Sequence, residues 1–262
     1  MTFFDPSQPL VFAHRGGCAL GPENTLATFD AGLAAGADGL ELDVHLSADG
    51  VVVVHHDATL DRTTWQTGPL AARTADELVR IPAGREFTSD MPGPGADGTC
   101  IPTLQAVLAR YPDVRVIVEM KVDTPAMGLA LAREIVAADA AARVCAAGFG
   151  LYSLRAVRSA LPRLATSASV PEVRLALYRS WARWPVRRPP YGCYQVPEYA
   201  GRLRVVSPRF IRDAQRAGLK VQIWTIDDES DMHRLLAWGA DALISNRPDV
   251  AVRVRDEFIR TR

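Results

Sequence analysis

Two stretches of the chain set charged groups on alternate positions among apolar ones. In Leu40-Glu41-Leu42-Asp43-Val44 the apolar side chains take one parity and the carboxylates the other; Val118-Glu119-Met120-Lys121-Val122 repeats the pattern with an acid and a lysine. Successive side chains of a strand point to opposite faces, so Glu41 and Asp43 share a face, as do Glu119 and Lys121. Three carboxylates side by side repel one another unless a cation lies among them. All-oxygen ligands suit a hard divalent ion, so Glu41, Asp43 and Glu119 form a candidate site for Mg²⁺ or Ca²⁺. Three separate surface or salt-bridged acids are the alternative, and the same parity on two strands weighs against it.

Histidines stand at two further strand ends. His14 closes Val11-Phe12-Ala13-His14 and runs into Arg15-Gly16-Gly17. Glycines there allow a close approach of backbone to a ligand, and Arg15 offers a two-pronged grip on an oxyanion. His56 follows the run Val51 to His55 and precedes Asp57; parity alone leaves His55 and His56 undecided. Histidine titrates near neutral pH, so a pair flanking one scissile bond supplies a general acid and a general base. Lys121 gains weight from composition: it and Lys220 are the only lysines among 30 Lys plus Arg. A compact ammonium beside acids suggests a place where a planar guanidinium would not fit. Lys220 is read as a chance survivor and His233 as a surface residue. Trp224 shares parity with Gln222 at a strand end, where it either packs as core or stacks on the apolar part of a ligand. Asn24 and Thr25, after Glu23, read as ordinary helix N-caps.

The elements that must position these groups follow a βαβα pattern, with short apolar runs alternating with Ala/Leu/Arg-rich stretches of helical period. Strands are expected at Leu10 to His14, Gly39 to Val44, Val51 to His55, Val116 to Met120, Val144 to Phe149, Leu164 to Ser169, Cys193 to Val196, Leu219 to Trp224 and Ala242 to Ser245. Val51 to His55 follows Val44 after a Ser-Ala-Asp-Gly connection, too short for a crossover helix, and so reads as a hairpin partner. Eight strands remain, each with a helix behind it, which is the count an α/β fold needs to close as a TIM (β/α)8 barrel. An open doubly wound sheet is the runner-up, lowered by the missing Rossmann glycine fingerprint. The segment from about 57 to 102 is rich in Pro and Gly and reads as a small irregular insertion after the second strand. Its stretch Met91 to Gly98 is expected to help wall the pocket.

The chain has 262 residues with 30 acidic and 30 basic side chains. That length suits one barrel of roughly 250 residues, so residues 1–262 are taken as a single domain. With 48% hydrophobic and 23% charged residues a sizeable core is expected, and the zero balance argues against a nucleic-acid partner. Cys18, Cys100, Cys145 and Cys193 lie far apart without zinc spacing and read as free thiols of a reducing compartment. No signal peptide or spanning helix is apparent, so a cytoplasmic location is expected. Arginines and tryptophans between Arg174 and Arg188 raise the question of a membrane surface. An outer barrel helix is favoured, with solvated arginines and with Leu175, Leu177 and one tryptophan against the sheet. Membrane contact is therefore not expected, and the sequence sets no oligomeric state.

The motifs His14-Arg15-Gly16, Pro22-Glu23-Asn24-Thr25, Glu41-Leu42-Asp43, Val54-His55-His56-Asp57, Arg62-Thr63-Thr64, Ile101-Pro102-Thr103-Leu104, Glu119-Met120-Lys121 and Trp224-Thr225 together resemble the glycerophosphodiester phosphodiesterases. Their order covers nearly the whole chain. The resemblance implies a TIM-barrel phosphodiesterase with metal ligands Glu41, Asp43 and Glu119, and an acid–base pair of His14 and His56. It selects His56 over His55, puts Arg15 and Lys121 on the phosphate with Trp224 at the substrate, and implies a small-molecule glycerophosphodiester as partner and Mg²⁺ or Ca²⁺, or else Mn²⁺, as cofactor. Two rivals keep the fold: a lysophospholipase D-like enzyme acting on membrane lysolipids, and an inactive barrel that only binds phosphate esters. Two positions depart from the family's usual pattern. Asn246 replaces an Asp and is expected to cap the following helix, and Gly148 replaces a Ser and is expected to alter the pocket wall.

Overall fold

The alternation read from the sequence organises the structure, a computed structural model that describes residues 3–4, 8–87, 98–182, 184 and 189–261. The strands are β1 (Leu10–His14), β2 (Gly39–Leu46), β3 (Val52–Val54), β4 (Arg115–Met120), β5 (Val144–Gly148), β6 (Ala165–Thr166), β7 (Cys193–Pro197), β8 (Tyr199–Ala200), β9 (Leu203–Arg204), β10 (Lys220–Trp224) and β11 (Ala242–Ser245). Eight of them pair in parallel in the order β6-β5-β4-β2-β1-β11-β10-β7, which is chain order around a ring. The seam between β6 and β7 is held by a single parallel bridge, Ser167 to Cys193. This is a nearly closed (β/α)8 barrel. β3 lies outside the ring as the antiparallel partner of β2, as the short connection requires.

The helices are α1 (Leu26–Ala34), α2 (Ala75–Leu78), α3 (Leu104–Arg110), α4 (Pro125–Ala137), α5 (Tyr152–Ala160), α6 (Val170–Ala182), α7 (Pro208–Arg216), α8 (Glu229–Trp238) and α9 (Pro248–Arg260). Thr25, Thr103, Thr124, Ser207 and Asp228 cap α1, α3, α4, α7 and α8 through side-chain oxygens, satisfying N–H groups that a helix start leaves without partners. One parity of each barrel strand packs outward on these helices. Leu40, Leu42, Val116 and Val118 meet Phe29, Leu104 and Leu131 on one side; Val11, Val221, Ile223 and Leu243 meet Phe210, Leu235 and Val254 on the other. The inward parity supplies Leu10, Phe12, Ile117, Cys145, Cys193 and Ile244 to an apolar floor. Phe3 closes it from below, stacked on Phe12 at 5.8 Å. Above that floor the same parity turns polar.

Several expectations need correction. The insertion holds a one-turn helix, α2, closed by a capping box between Thr74 and Glu77, and its own small core of Leu60, Leu70, Leu78 and Ile101 beneath Val53. The hairpin of β8 and β9 was not expected either. On α6, Leu177 faces inward, but Leu175 (50% exposed) and Trp181 face outward, and Trp184, beyond the end of α6, is exposed as well. Residues two apart on a helix lie on opposite sides, so Leu175 and Leu177 could not both meet the sheet. Residues 91–97 of the expected Met91 to Gly98 wall, and Arg183, Arg187 and Arg188 of the basic stretch, lie outside the described residues. All four cysteines are free. Among the described residues, no helix is long and apolar enough to cross a membrane.

Candidate active site

Parallel register sets the acids beside one another. His14 pairs with Glu41, Glu41 with Ile117, and Asp43 with Glu119, so inward side chains at one level of β1, β2 and β4 meet at the C-terminal end of the barrel. Ligand oxygens of Glu41, Asp43 and Glu119 lie within 4.8 Å of one another. All eight residues singled out in the sequence line one cavity of about 270 Å³: His14, Arg15, Glu41, Asp43, His56, Glu119, Lys121 and Trp224.

The charges in this cavity are not balanced evenly. Lys121 donates from Nζ to Glu119 Oε1 at 2.7 Å and stands 3.3 Å from Asp43 Oδ1, so its compact ammonium lies between two acids. Arg15 donates from Nη1 to both oxygens of Glu23 at 3.1 Å, and its Nε is 3.3 Å from Asp43 Oδ2. Burial pushes the Asp43 carboxyl up, but Lys121 and Arg15 outweigh it and hold the group below its ordinary value. Glu41 has less support, chiefly the Arg15 backbone N–H, which donates to its Oε2 at 3.1 Å. Burial, then Asp43 and Glu119, drive its carboxyl well above the usual range, and burial and Asp43 raise Glu119 too. Arg15 Nε is buried without a well-directed acceptor. An all-oxygen cluster of three carboxylates, only partly compensated by Lys121 and Arg15, is what a hard divalent cation fits.

Both candidate histidines are anchored from behind. His14 Nδ1 lies 2.6 Å from Asn246 Oδ1. Asn246 Nδ2 donates to Asp227 Oδ2 at 2.7 Å, and a carboxylate only accepts, so the amide oxygen must face His14. His14 therefore carries its proton on Nδ1 and leaves Nε2 free, 3.9 Å from Glu41 Oε2. Burial keeps the His14 imidazole below its ordinary value. His56 Nδ1 donates to Asp57 Oδ1 at 2.6 Å, and Arg62 Nε donates to the other oxygen, Oδ2, at 2.6 Å. Its Nε2 is likewise free. His55 is buried, bonded through Nε2 to the Thr59 carbonyl, and does not line the cavity.

Several supporting groups were not assigned from sequence. Asn246 does not cap α9, whose N-cap is Arg247 without a side-chain bond; it holds His14. Asn24 lies in the left-handed region (φ 59) and clasps Asp43, donating from Nδ2 to Oδ2 at 3.0 Å and accepting the Asp43 N–H at 3.3 Å. Glu23 joins Arg15 to Arg62, and His45 Nε2 donates to the His56 carbonyl at 3.0 Å. Glycine in the His14 turn serves packing rather than ligand approach: a Cβ on Gly16 would stand 2.7 Å from the Phe29 ring. Lys220 and His233 lie away from the site, with Lys220 paired to Asp241.

The sequence model of the glycerophosphoryl diester phosphodiesterase family matches residues 14–250. The chain belongs to that family. It is 32% identical over 250 residues to a glycerophosphodiester phosphodiesterase of Caldanaerobacter subterraneus, covering 94% of this chain and 97% of the relative. A glycerophosphodiester phosphodiesterase of Bacillus subtilis is 27% identical over 98% of this chain and 90% of its own. The crystal structure of glycerophosphodiester phosphodiesterase from Agrobacterium tumefaciens superimposes with a TM-score of 0.76 at 26% identity, over 95% of this chain and all of that one, a coverage of 100%. Membership in the phosphodiesterase family fits the polar cavity at the C-terminal end of the barrel, the end where enzymes of this fold keep their chemistry.

Proposed function

We propose that this barrel hydrolyses glycerophosphodiesters to sn-glycerol 3-phosphate and an alcohol with a divalent cation held by Glu41, Asp43 and Glu119. The observation that carries the reading is the meeting of three crowded carboxylates with two imidazoles that each present a free Nε2 to one cavity. Mg²⁺ and Ca²⁺ suit the oxygen donors best, with Mn²⁺ next. When bound, the ion supplies a positive charge that draws off electron density from a phosphoryl oxygen.

The chain's own groups account for the rest. Arg15 and Lys121 offer positive charge to the remaining phosphoryl oxygens, where charge gathers as the leaving group departs. His14, backed by a neutral amide, is suited to take a proton from the attacking oxygen at Nε2. His56, backed by the Asp57 carboxylate, is suited to carry a proton on Nε2 and give it to the leaving alcohol oxygen. In the net reaction the oxygen of water forms a new bond to phosphorus and the bond from phosphorus to the alcohol oxygen breaks. Of the two water protons, one goes to His14 and the other stays on the new phosphate oxygen; the alcohol takes the proton of His56, and a proton passed from His14 to His56 through solvent restores the pair, so that one water is consumed per diester. Trp224 and Phe149, with ring centroids 5.9 Å apart, offer apolar faces to the substrate's carbon skeleton.

A barrel that merely bound phosphate esters would not need two oriented imidazoles. We read the whole chain as one such unit, with 57–102 an insertion whose Asp57 and Arg62 brace His56, and place it in the cytoplasm, in keeping with its free thiols. The test is product analysis with glycerophosphocholine and glycerophosphoethanolamine: sn-glycerol 3-phosphate and the free alcohol should appear in equal amounts. No product from either diester with any of the three ions would overturn the reading.

A further inference from the structure

Across the barrel from Glu41 and Asp43 the inner surface is largely apolar, built from Cys145 and Ala147 of β5, Cys193 of β7, and Ala242 and Ile244 of β11. Two amides interrupt it at one level. Gln195 of β7 and Gln222 of β10 are register partners on paired parallel strands. Both point inward, since their strand neighbours Tyr194, Val196, Val221 and Ile223 pack outward on the helices. An amide in such surroundings costs free energy unless its polar atoms are paired.

The pairing is lopsided. Gln195 Nε2 donates to Gln222 Oε1 at 2.8 Å and to Cys145 Sγ at 3.9 Å, which uses both of its hydrogens on the barrel floor. Among the described residues Gln195 Oε1 accepts no hydrogen bond from the protein. It is not sealed off either, for the buried side-chain polar atoms without a partner among those residues are Arg15 Nε and Thr63 Oγ1. Gln195 lines both the cavity of the three carboxylates and a larger, mostly apolar one beside it, so Oε1 opens where the two meet. A neutral carbonyl oxygen accepts and cannot donate. It has nothing to offer the phosphoryl oxygens, which are acceptors too. What it fits is an O–H carried in with the phosphate.

We propose that Gln195 selects the substrate by accepting a hydrogen bond from a free hydroxyl of its glycerol, with Gln222 as the positioning residue that holds the amide. The inference rests on the hydrolase reading above and adds to it the residue that tells glycerol from a plainer alcohol. A group built to pair with a substrate hydroxyl discriminates against an analogue that lacks it, because the analogue leaves the group unpaired.

The test compares kcat/KM for glycerophosphocholine with that for two analogues in which propane-1,2-diol or propane-1,3-diol replaces glycerol, so that each lacks one hydroxyl. Wild type should favour glycerophosphocholine over at least one analogue by roughly fivefold to a hundredfold, the effect of leaving a buried acceptor unpaired. Gln195→Met keeps the length of the side chain and removes the acceptor. It should lower kcat/KM for glycerophosphocholine by that factor, spare the disfavoured analogue, and leave the half-saturating Mg²⁺ concentration unchanged. Binding of sn-glycerol 3-phosphate should weaken by the same factor and binding of inorganic phosphate should not. Gln195→Ala, which only removes atoms, repeats the comparison should Gln195→Met fail to fold. Equal losses on all three diesters would make Gln195 a structural residue, and a raised Mg²⁺ requirement would make it an ion ligand; either overturns the inference and leaves the hydrolase reading standing. A wild type that treats the three diesters alike does the same. No turnover of any diester overturns both.

Discussion

Asn246 accepts the Nδ1 proton of His14 at 2.6 Å while its own amide nitrogen is committed to Asp227, so a residue 232 positions away fixes which nitrogen of the imidazole faces the cavity. The Cys18 thiol, pushed up to about 11 by burial, stays protonated and donates to the same oxygen. Asn246→Leu removes the acceptor and frees the ring. It should lower kcat by about tenfold to a hundredfold, the worth of a buried hydrogen bond of about 1 to 3 kcal/mol, and leave KM nearly unchanged. A rise in KM alone would assign Asn246 to substrate binding instead.

The two adjacent histidines should separate cleanly. His56→Ala should cost on the order of 10² to 10⁴ in kcat, and the double variant with His14→Ala much less than the product of the singles. His55→Ala should keep most of the activity and lose thermal stability, because His55 is buried on the Thr59 carbonyl. Equal loss of activity at both positions would contradict the assignment.

Crowding of the acids predicts an unusual stability effect. In metal-free protein Glu41→Gln relieves both burial of a charge and repulsion by Asp43 and Glu119, while the amide oxygen can still accept the Arg15 N–H that Glu41 Oε2 accepts at 3.1 Å. Its Tm should lie above that of metal-free wild type by a few degrees, about 2 to 4 °C per kcal/mol. Added Mg²⁺ should raise Tm in the wild type and much less in the variant. Calorimetry showing a lower Tm for the metal-free variant would count against the crowded cluster.

How much of this could be read from the chain depended on distance. Parity put Glu41, Asp43 and Glu119 on the cavity face, because a strand has a strict period of two and β2 and β4 run unbroken through these positions; Lys121 is the first residue beyond β4 and keeps the strand's alternation because its N–H still bonds the Val44 carbonyl of β2 at 3.1 Å. Parity failed at His55 and His56 because β3 ends at Val54 and both residues lie in the turn beyond it, where alternation carries no information. Asn24 and Asn246 looked like caps because the local sequence is that of a helix start; their partners, Asp43 and His14, lie on neighbouring strands but 19 and 232 positions away in the chain. The β8–β9 hairpin has strands of two residues each, too short for any periodic signal.

Acid should loosen the start of α6. Glu172 accepts from Arg158 Nη1 at 2.8 Å and from the Ser169 N–H at 2.8 Å. Burial raises this carboxyl, but Arg158 and Ser169 outweigh it and set it below its ordinary 4.5. A depressed folded value means stability that is complete above the unfolded value and is lost as pH falls through the folded one. Wild type should therefore be more stable than Glu172→Gln at neutral pH, by about 1 to 3 kcal/mol, with the gap closing as pH falls below the ordinary carboxyl value of 4.5 and through the lower folded one. A gap independent of pH, followed by thermal melts, would show that the pair contributes by packing alone.

Turnover of glycerophosphocholine by chelator-stripped protein, followed as Mg²⁺, Ca²⁺ or Mn²⁺ is added back, tests the central claim most directly. The stripped protein should be inactive, at least one ion should restore activity in a saturable way, and Glu41→Ala, Asp43→Ala and Glu119→Ala should not be restored by the same ion. Full turnover in the presence of chelator would contradict the assignment of the three carboxylates.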